Sequence, residues 1–139
     1  MNDNILTELE NILKIEQSYE KESIRNSQVI IAVHKVFMRE SRVLKSLYSE
    51  HKKLELIRWK HYSGKLSEEH YKKEPLKYAI LKTDIDRYLK ADAHIIASEK
   101  ALHEQENVVK FCEDCIKRAN GRGFDIKTAV EYTIFLAKG

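Results

Sequence analysis

The chain has 139 residues, of which 34% are charged, with one proline, four glycines and a formal net charge of +3. Its length suits one domain, and so little proline and glycine excludes a turn-rich β architecture and favours long helices. A hydrophobic content of 42% excludes a wholly disordered chain.

No apolar run approaches the roughly 18 residues of a membrane span. The start, Met1-Asn2-Asp3-Asn4, lacks the basic region and apolar core of a secretory signal. The expectation is therefore a cytosolic protein without a membrane, with its two cysteines reduced.

In chain order, the first element is a short amphipathic helix within 4–18, apolar at Ile5, Leu9 and Ile12 with Leu6 and Leu13 beside them. A polar stretch, Ser18 to Ser23, marks a break. A long helix is expected over 22–62, where there is no glycine or proline. Ile30, Val33, Phe37, Leu44, Leu47 and Leu54 follow steps of three and four, and Glu40, His51 and Arg58 fill the gaps in that register. Such a helix would run roughly 60 Å, too long to wrap one compact core.

Residues 63–74 read as a basic turn. Ser63-Gly64 stops the helix, and Ser67-Glu68-Glu69 looks like an N-cap followed by first-turn acids, with a short helical turn over 68–73. A second long helix is expected over 75–119, with Pro75 in its first turn. Leu81, Tyr88, Ile95, Leu102, Val109 and Ile116 recur every seven residues. The positions three further on, Asp84, Ala91, Ser98, Gln105, Cys112 and Ala119, are small or polar. A seam with one large and one small edge allows close approach of a partner helix, and the short connection folds this helix back as an antiparallel hairpin. Asn120-Gly121 supplies the expected C-cap.

A final helix is expected over 124–137, with Asp125 as N-cap. It is apolar at Ile126, Val130, Ile134 and Ala137, and also at Tyr132, Phe135 and Leu136, so two faces need burial. One face packs on its own chain and the other suggests a second copy. The candidate oligomerisation residues are Phe124, Ile126, Val130, Ile134, Phe135 and Leu136. The fold class is thus all-α: a long antiparallel hairpin with short terminal helices that self-associates.

The positive charge is local. Between His51 and Lys77 eight Lys or Arg face four Glu, whereas the rest of the chain carries a net charge of −1. Within this segment, Arg58-Trp59-Lys60-His61-Tyr62-Ser63-Gly64-Lys65 interleaves cations with large aromatics. Cations attract phosphate and aromatic faces stack on bases, the two ingredients of single-strand binding. The candidate DNA-binding residues are Arg58, Lys60, Trp59, Tyr62, Lys65, Lys52 and Lys53. The plainer reading is a solvated basic turn with two anchoring aromatics.

Nothing in the sequence argues for catalysis, a cofactor or a metal. Cys112 and Cys115 form a C-x-x-C inside a helical stretch, without a βαβ context or a second pair. None of the six histidines belongs to an H-E-x-x-H motif or a tight His/Cys/carboxylate group, and there is no glycine-rich phosphate loop.

Two short motifs, Arg58-x-x-x-Tyr62-Ser63-Gly64-Lys65 at the end of a long basic helix and Arg122-Gly123-Phe124-x-Ile126-Lys127 before the C-terminal helix, resemble the UvsY-type recombination mediators of T-even-like bacteriophages. Length and the order of elements agree across essentially the whole chain. The resemblance implies a ring-like homo-oligomer, heptameric in the type member, that binds single-stranded DNA. It also implies loading of a RecA-like recombinase onto strands covered by a single-strand-binding protein, in the cytoplasm of an infected bacterium. It implies a DNA contact by the arginine matching Arg58 and assembly through the C-terminal helix. The family's second functional cation falls at Leu56 here, where Lys60, Lys52 or Lys53 would have to replace it. The alternative function is a helical adaptor or scaffold that contacts acidic proteins without DNA.

Overall fold

The computed structural model describes residues 3–139, and these contain helices and no strand. The order is α1 (Asp3–Leu13), α2 (Tyr19–Tyr62), α3 (Glu68–Lys73), a 3-10 turn (Lys82–Asp84), α4 (Ile85–Lys90) and α5 (Ala93–Lys138). The single domain expected from length divides into two compact units. One combines the chain up to Val43 with Gln105–Gly139, and the other is Leu44–Glu104.

In the first unit, α1 lays its apolar stripe on α2 and α5. Ile5 and Leu9 are buried together with Val33, Val36, Val108, Cys112, Cys115 and Ala119. Gln105 bonds to Glu40, and Arg122 bonds to Asn26, so α2 and α5 are antiparallel in this unit. The fully buried edge of α5 runs through Val108 and Cys115, while Ile116 packs against the core only partly buried. The seven-residue pattern had put Val109 and Ile116 at the seam. From Val108 the buried positions recur at Cys112, Cys115, Ala119, Arg122 and Ile126, so the seven-residue repeat is kept but its buried edge starts one residue earlier. Burial raises the thiol pKa of Cys112 to about 11 and also raises that of Cys115, so both remain inert packing groups.

The expected break at Asn120-Gly121 is absent: α5 runs through it to Lys138, so 124–137 is not a separate helix. Two interior glycines cost about 1 kcal/mol each relative to alanine. Ile126, only 1% exposed, returns about 1.5–3 kcal/mol by burial. Arg122 adds a set of hydrogen bonds that only an unbroken helix can aim. Its Nε donates to the Leu13 carbonyl at 3.1 Å, its Nη1 to Asn26 Oδ1 at 3.0 Å, and its Nη2 to the Glu22 carboxylate. Gly123 gives Asn26 room here, since a Cβ would lie 3.0 Å from Asn26 Nδ2 and would press on that side chain.

Glu22 is wholly buried and also accepts from the backbone N–H of Glu16 and Gln17 at 3.2 Å each and from Arg25. The link between α1 and α2 is thereby tied to α5. Carbonyls at the end of α1, which lack helical partners, are satisfied by Arg122 and Arg25.

In the second unit, the expected helix over 75–119 does not begin at Pro75. Residues 76–81 are not helical, the 3-10 turn and α4 follow, and α5 starts only at Ala93. Asp92 sets that start. Its Oδ1 accepts from the N–H groups of His94 at 2.9 Å and Ile95 at 3.0 Å, an N-cap in the usual geometry. Its Oδ2 accepts from Arg58 Nε at 2.8 Å and from the Tyr62 hydroxyl at 2.5 Å. An uninterrupted helix would deny Asp92 its cap and move its carboxylate off Arg58. Arg58 facing Asp92 and His51 facing Ser98 make α2 and α5 antiparallel in this unit too.

Two stability measurements check this arrangement. Glu22 has its pKa lowered from 4.5 to about 2, chiefly by Arg122. A depressed carboxylate pKa contributes stability that is complete above the unfolded value and is lost as pH falls through the folded value. Acid unfolding should therefore weaken the protein across that window, and Glu22→Gln should be less stable at neutral pH while losing less on acidification. Asp92→Ala removes both a cap and a buried charge partner and should cost about 3 kcal/mol in urea unfolding. Asp92→Asn keeps the cap and should recover about 1 kcal/mol of that loss.

Candidate nucleic-acid interface

The candidate surface lies in the second unit, at the end of α2. Gly64, at φ +72°, ends the helix in the left-handed conformation. Lys65 N–H donates to the Lys60 carbonyl at 3.0 Å and Gly64 N–H to that of His61 at 3.2 Å, the paired bonds of a Schellman cap. Ser67 then caps α3 by accepting from His70 N–H at 3.2 Å. This turn brings Lys65 back over Trp59, with Nζ 4.5 Å from the ring centroid, within cation–π range.

Trp59 is half-buried and Lys60 and Lys65 are exposed. Trp59, Ser63 and Lys65 line a cavity of about 280 Å³ with Ile80, Lys82 and Ile85. Lys52 and Lys53 are exposed one to two turns earlier on α2. None of Lys52, Lys53, Lys60 and Lys65 carries an ion pair among the described residues. Their ammonium groups are thus open to an outside anion. Lys82, which completes the cavity, lay outside the candidate list because its nearness to Trp59 depends on the path of residues 76–84.

Arg58 stands apart from these lysines. It is 5% exposed, and its guanidinium is shared out inside the unit. Nε donates to Asp92, while Nη1 and Nη2 each donate to Glu74 at 2.8 Å. Glu74 first, and then Tyr62 and Asp92, hold the Arg58 pKa well above its ordinary value against the effect of burial. Burial opposes ionisation of Asp92, but hydrogen bonds from Tyr62, Ile95 and Arg58 outweigh it and leave its pKa lowered. Tyr62 is likewise committed, with its hydroxyl on Asp92 and its ring 5.4 Å from the Arg58 guanidinium and 5.6 Å from Tyr88. Of the seven candidates, Arg58 is therefore buried and Tyr62, half-buried, has its hydroxyl engaged within the unit, while the other five keep their polar or aromatic groups at the surface.

The structure also gathers residues that sequence spacing had not grouped. His61 Nδ1 lies 2.7 Å from His70 Nε2, with Glu74 alongside. Burial lowers the pKa of His61 and favours its neutral form. The sequence signal for Asp92 was a cap-type residue inside an apparently unbroken helix. Glu74 had no comparable signal.

In the first unit, the oligomerisation candidates separate by burial. Phe124, Ile134, Phe135 and Leu136 are exposed, Val130 is half-buried, and Ile126 is core. Ile126 is consequently removed from any intermolecular surface, because it is already buried inside this unit.

No helix among the described residues is long and apolar enough to cross a membrane. A family model described as "Recombination, repair and ssDNA binding protein UvsY" matches residues 8–138. Among solved structures, the crystal structure of the bacteriophage T4 recombination mediator protein UvsY is similar at a TM-score of 0.74, covering 96% of this chain and 96% of that chain at 16% sequence identity. That likeness shows a shared fold. No curated protein sequence matches the chain. With the family match spanning nearly every described residue, the chain belongs to the UvsY family of recombination and repair proteins.

Proposed function

We propose that this protein is a recombination mediator: it binds single-stranded DNA and loads a RecA-like recombinase onto strands covered by a single-strand-binding protein, in the cytoplasm of a phage-infected bacterium. It acts by binding and not by catalysis. The observation that carries this reading is the family match, and the exposed cations beside a half-buried tryptophan are the chemistry that suits it.

Lys52, Lys53, Lys60 and Lys65 contact phosphates, and Trp59 offers a stacking surface at the rim of the cavity it shares with Lys65. Arg58 supports this surface from within by locking the last turns of α2 to Asp92 and Glu74. Several copies assemble into a ring, heptameric as the resemblance implies, through the exposed apolar end of α5. One strand crossing several such surfaces gains avidity, since each contact after the first is intramolecular. Wrapping the strand in this way loosens the resident single-strand-binding protein.

Two outcomes test it. Replacing Lys60 and Lys65 by Ala should weaken binding to a labelled oligonucleotide. Each lost phosphate contact lowers the single-strand salt slope by about 0.7, so the double mutant should lose about 1.4. Binding that is absent in the wild type, or salt-independent, would instead favour an adaptor that meets acidic proteins. For assembly, a chain ending after Val130 keeps Arg122 and Ile126 and removes only exposed residues. It should remain helical, sediment as smaller species and bind DNA more weakly. Sedimentation at full size would remove the end of α5 from the interface.

A further inference from the structure

We propose that His61, His70 and Glu74 form a binding site for a divalent transition-metal ion of the zinc type, fastening α3 to the end of α2. The three side chains come from the last turn of α2 and from α3 and its C-cap, and their potential ligand atoms all lie within 4.8 Å of one another. His61 Nδ1 and His70 Nε2 face each other at 2.7 Å. Glu74 Oε1 is 3.9 Å from His61 Nε2, and Glu74 Oε2 is 3.7 Å from His70 Nε2.

In the metal-free pair one hydrogen lies between His61 Nδ1 and His70 Nε2. A metal ion can take its place when that hydrogen moves to the other nitrogen of its own ring, which leaves a lone pair on each of the two facing nitrogens. Zinc bonds imidazole nitrogen at about 2.0–2.1 Å, so tetrahedral coordination needs the two nitrogens roughly 3.3 Å apart. Side-chain rotation of about half an ångström supplies the difference. One carboxylate and two imidazoles suit zinc, cobalt or nickel and not magnesium or calcium, which demand oxygen.

The surroundings are those of a supported site. The Tyr71 ring stacks on His61 at 5.6 Å and 24°, and its hydroxyl donates to the His61 carbonyl at 2.8 Å, so the buried imidazole is held in orientation. Arg58 donates once to each Glu74 oxygen, which leaves a second lone pair on each for a metal and fixes the carboxylate. The Arg58 charge is offset by Glu74 and Asp92 together, leaving the neighbourhood with an excess negative charge that favours a cation. Three protein ligands leave a fourth position, on the side where His70 and Glu74 are 27% and 41% exposed, for water or an outside ligand.

The proposal stands independently of DNA binding, and its test needs no DNA. Chelator-treated full-length protein is titrated with Zn²⁺ by calorimetry and with Co²⁺ by visible absorption. The expected result is one ion per chain, a visible cobalt band of low symmetry without a thiolate charge-transfer band, and a higher melting temperature with metal. His70→Gln, on the short and partly exposed α3, should bind at least tenfold more weakly with unchanged helicity. In the wild type, the ring NMR signals of His61 and His70 should move on adding Zn²⁺, and those of the other histidines should not. Absence of binding, equal binding by His70→Gln, shifts confined to other histidines, or a thiolate band pointing to Cys112 and Cys115 would each overturn the assignment.

Discussion

The end of α2 depends on one buried ion pair. Arg58 is placed by helical periodicity on the face that in the preceding turns carries leucines, and a guanidinium there must be neutralised or the helix cannot pack. Asp92 neutralises it with one oxygen while capping α5 with the other, and Glu74 completes the fork from the end of α3. Three segments far apart in sequence therefore meet at a single side chain. That meeting sets where α5 begins and ties the end of α3 to α2.

The first unit meets the same problem with Glu22 and Arg122. Both are buried, and their bond joins the start of α2 to α5 while neighbouring donors and acceptors close the end of α1. In each unit a charge occupies a seam position where a hydrophobic residue would have packed without a partner. Such pairs add little net stability over an apolar replacement, but a lone member is severely unfavourable. Register is thus specified more sharply than an apolar seam alone would specify it, because a slip along α5 would leave both charges uncompensated.

This division of labour separates two kinds of cation in the basic segment. Arg58 is consumed by the fold, whereas Lys52, Lys53, Lys60 and Lys65 are exposed and carry no ion pair among the described residues, with Lys65 lying over Trp59. The fork geometry of guanidinium suits two carboxylates at once, while lysine is a compact, hydrated point charge better kept at the surface. A basic segment of this kind owes its outward field to the lysines, and its shape to the arginine.

Much of the architecture was legible in residue order. The run of α2 without glycine or proline, its three-and-four spacing through Ile30, Val33, Phe37 and Leu44, the stop at Ser63-Gly64 and the cap at Ser67 are local signals, set by periodicity and backbone chemistry within a few residues. The local excess of positive charge was equally plain. Tertiary structure alone decided the rest. Asn120-Gly121 reads as a helix end, yet α5 passes through because Ile126 is buried and Arg122 finds partners on α1 and α2, which together outweigh the cost of two glycines. Pro75 reads as a helix start, yet α5 waits for Asp92 because only there can one carboxylate both cap a helix and meet Arg58. Whether a given cation faces water or a carboxylate, and which histidines touch, depends on residues tens of positions away. Short-range propensity carries no information about such contacts; packing creates them.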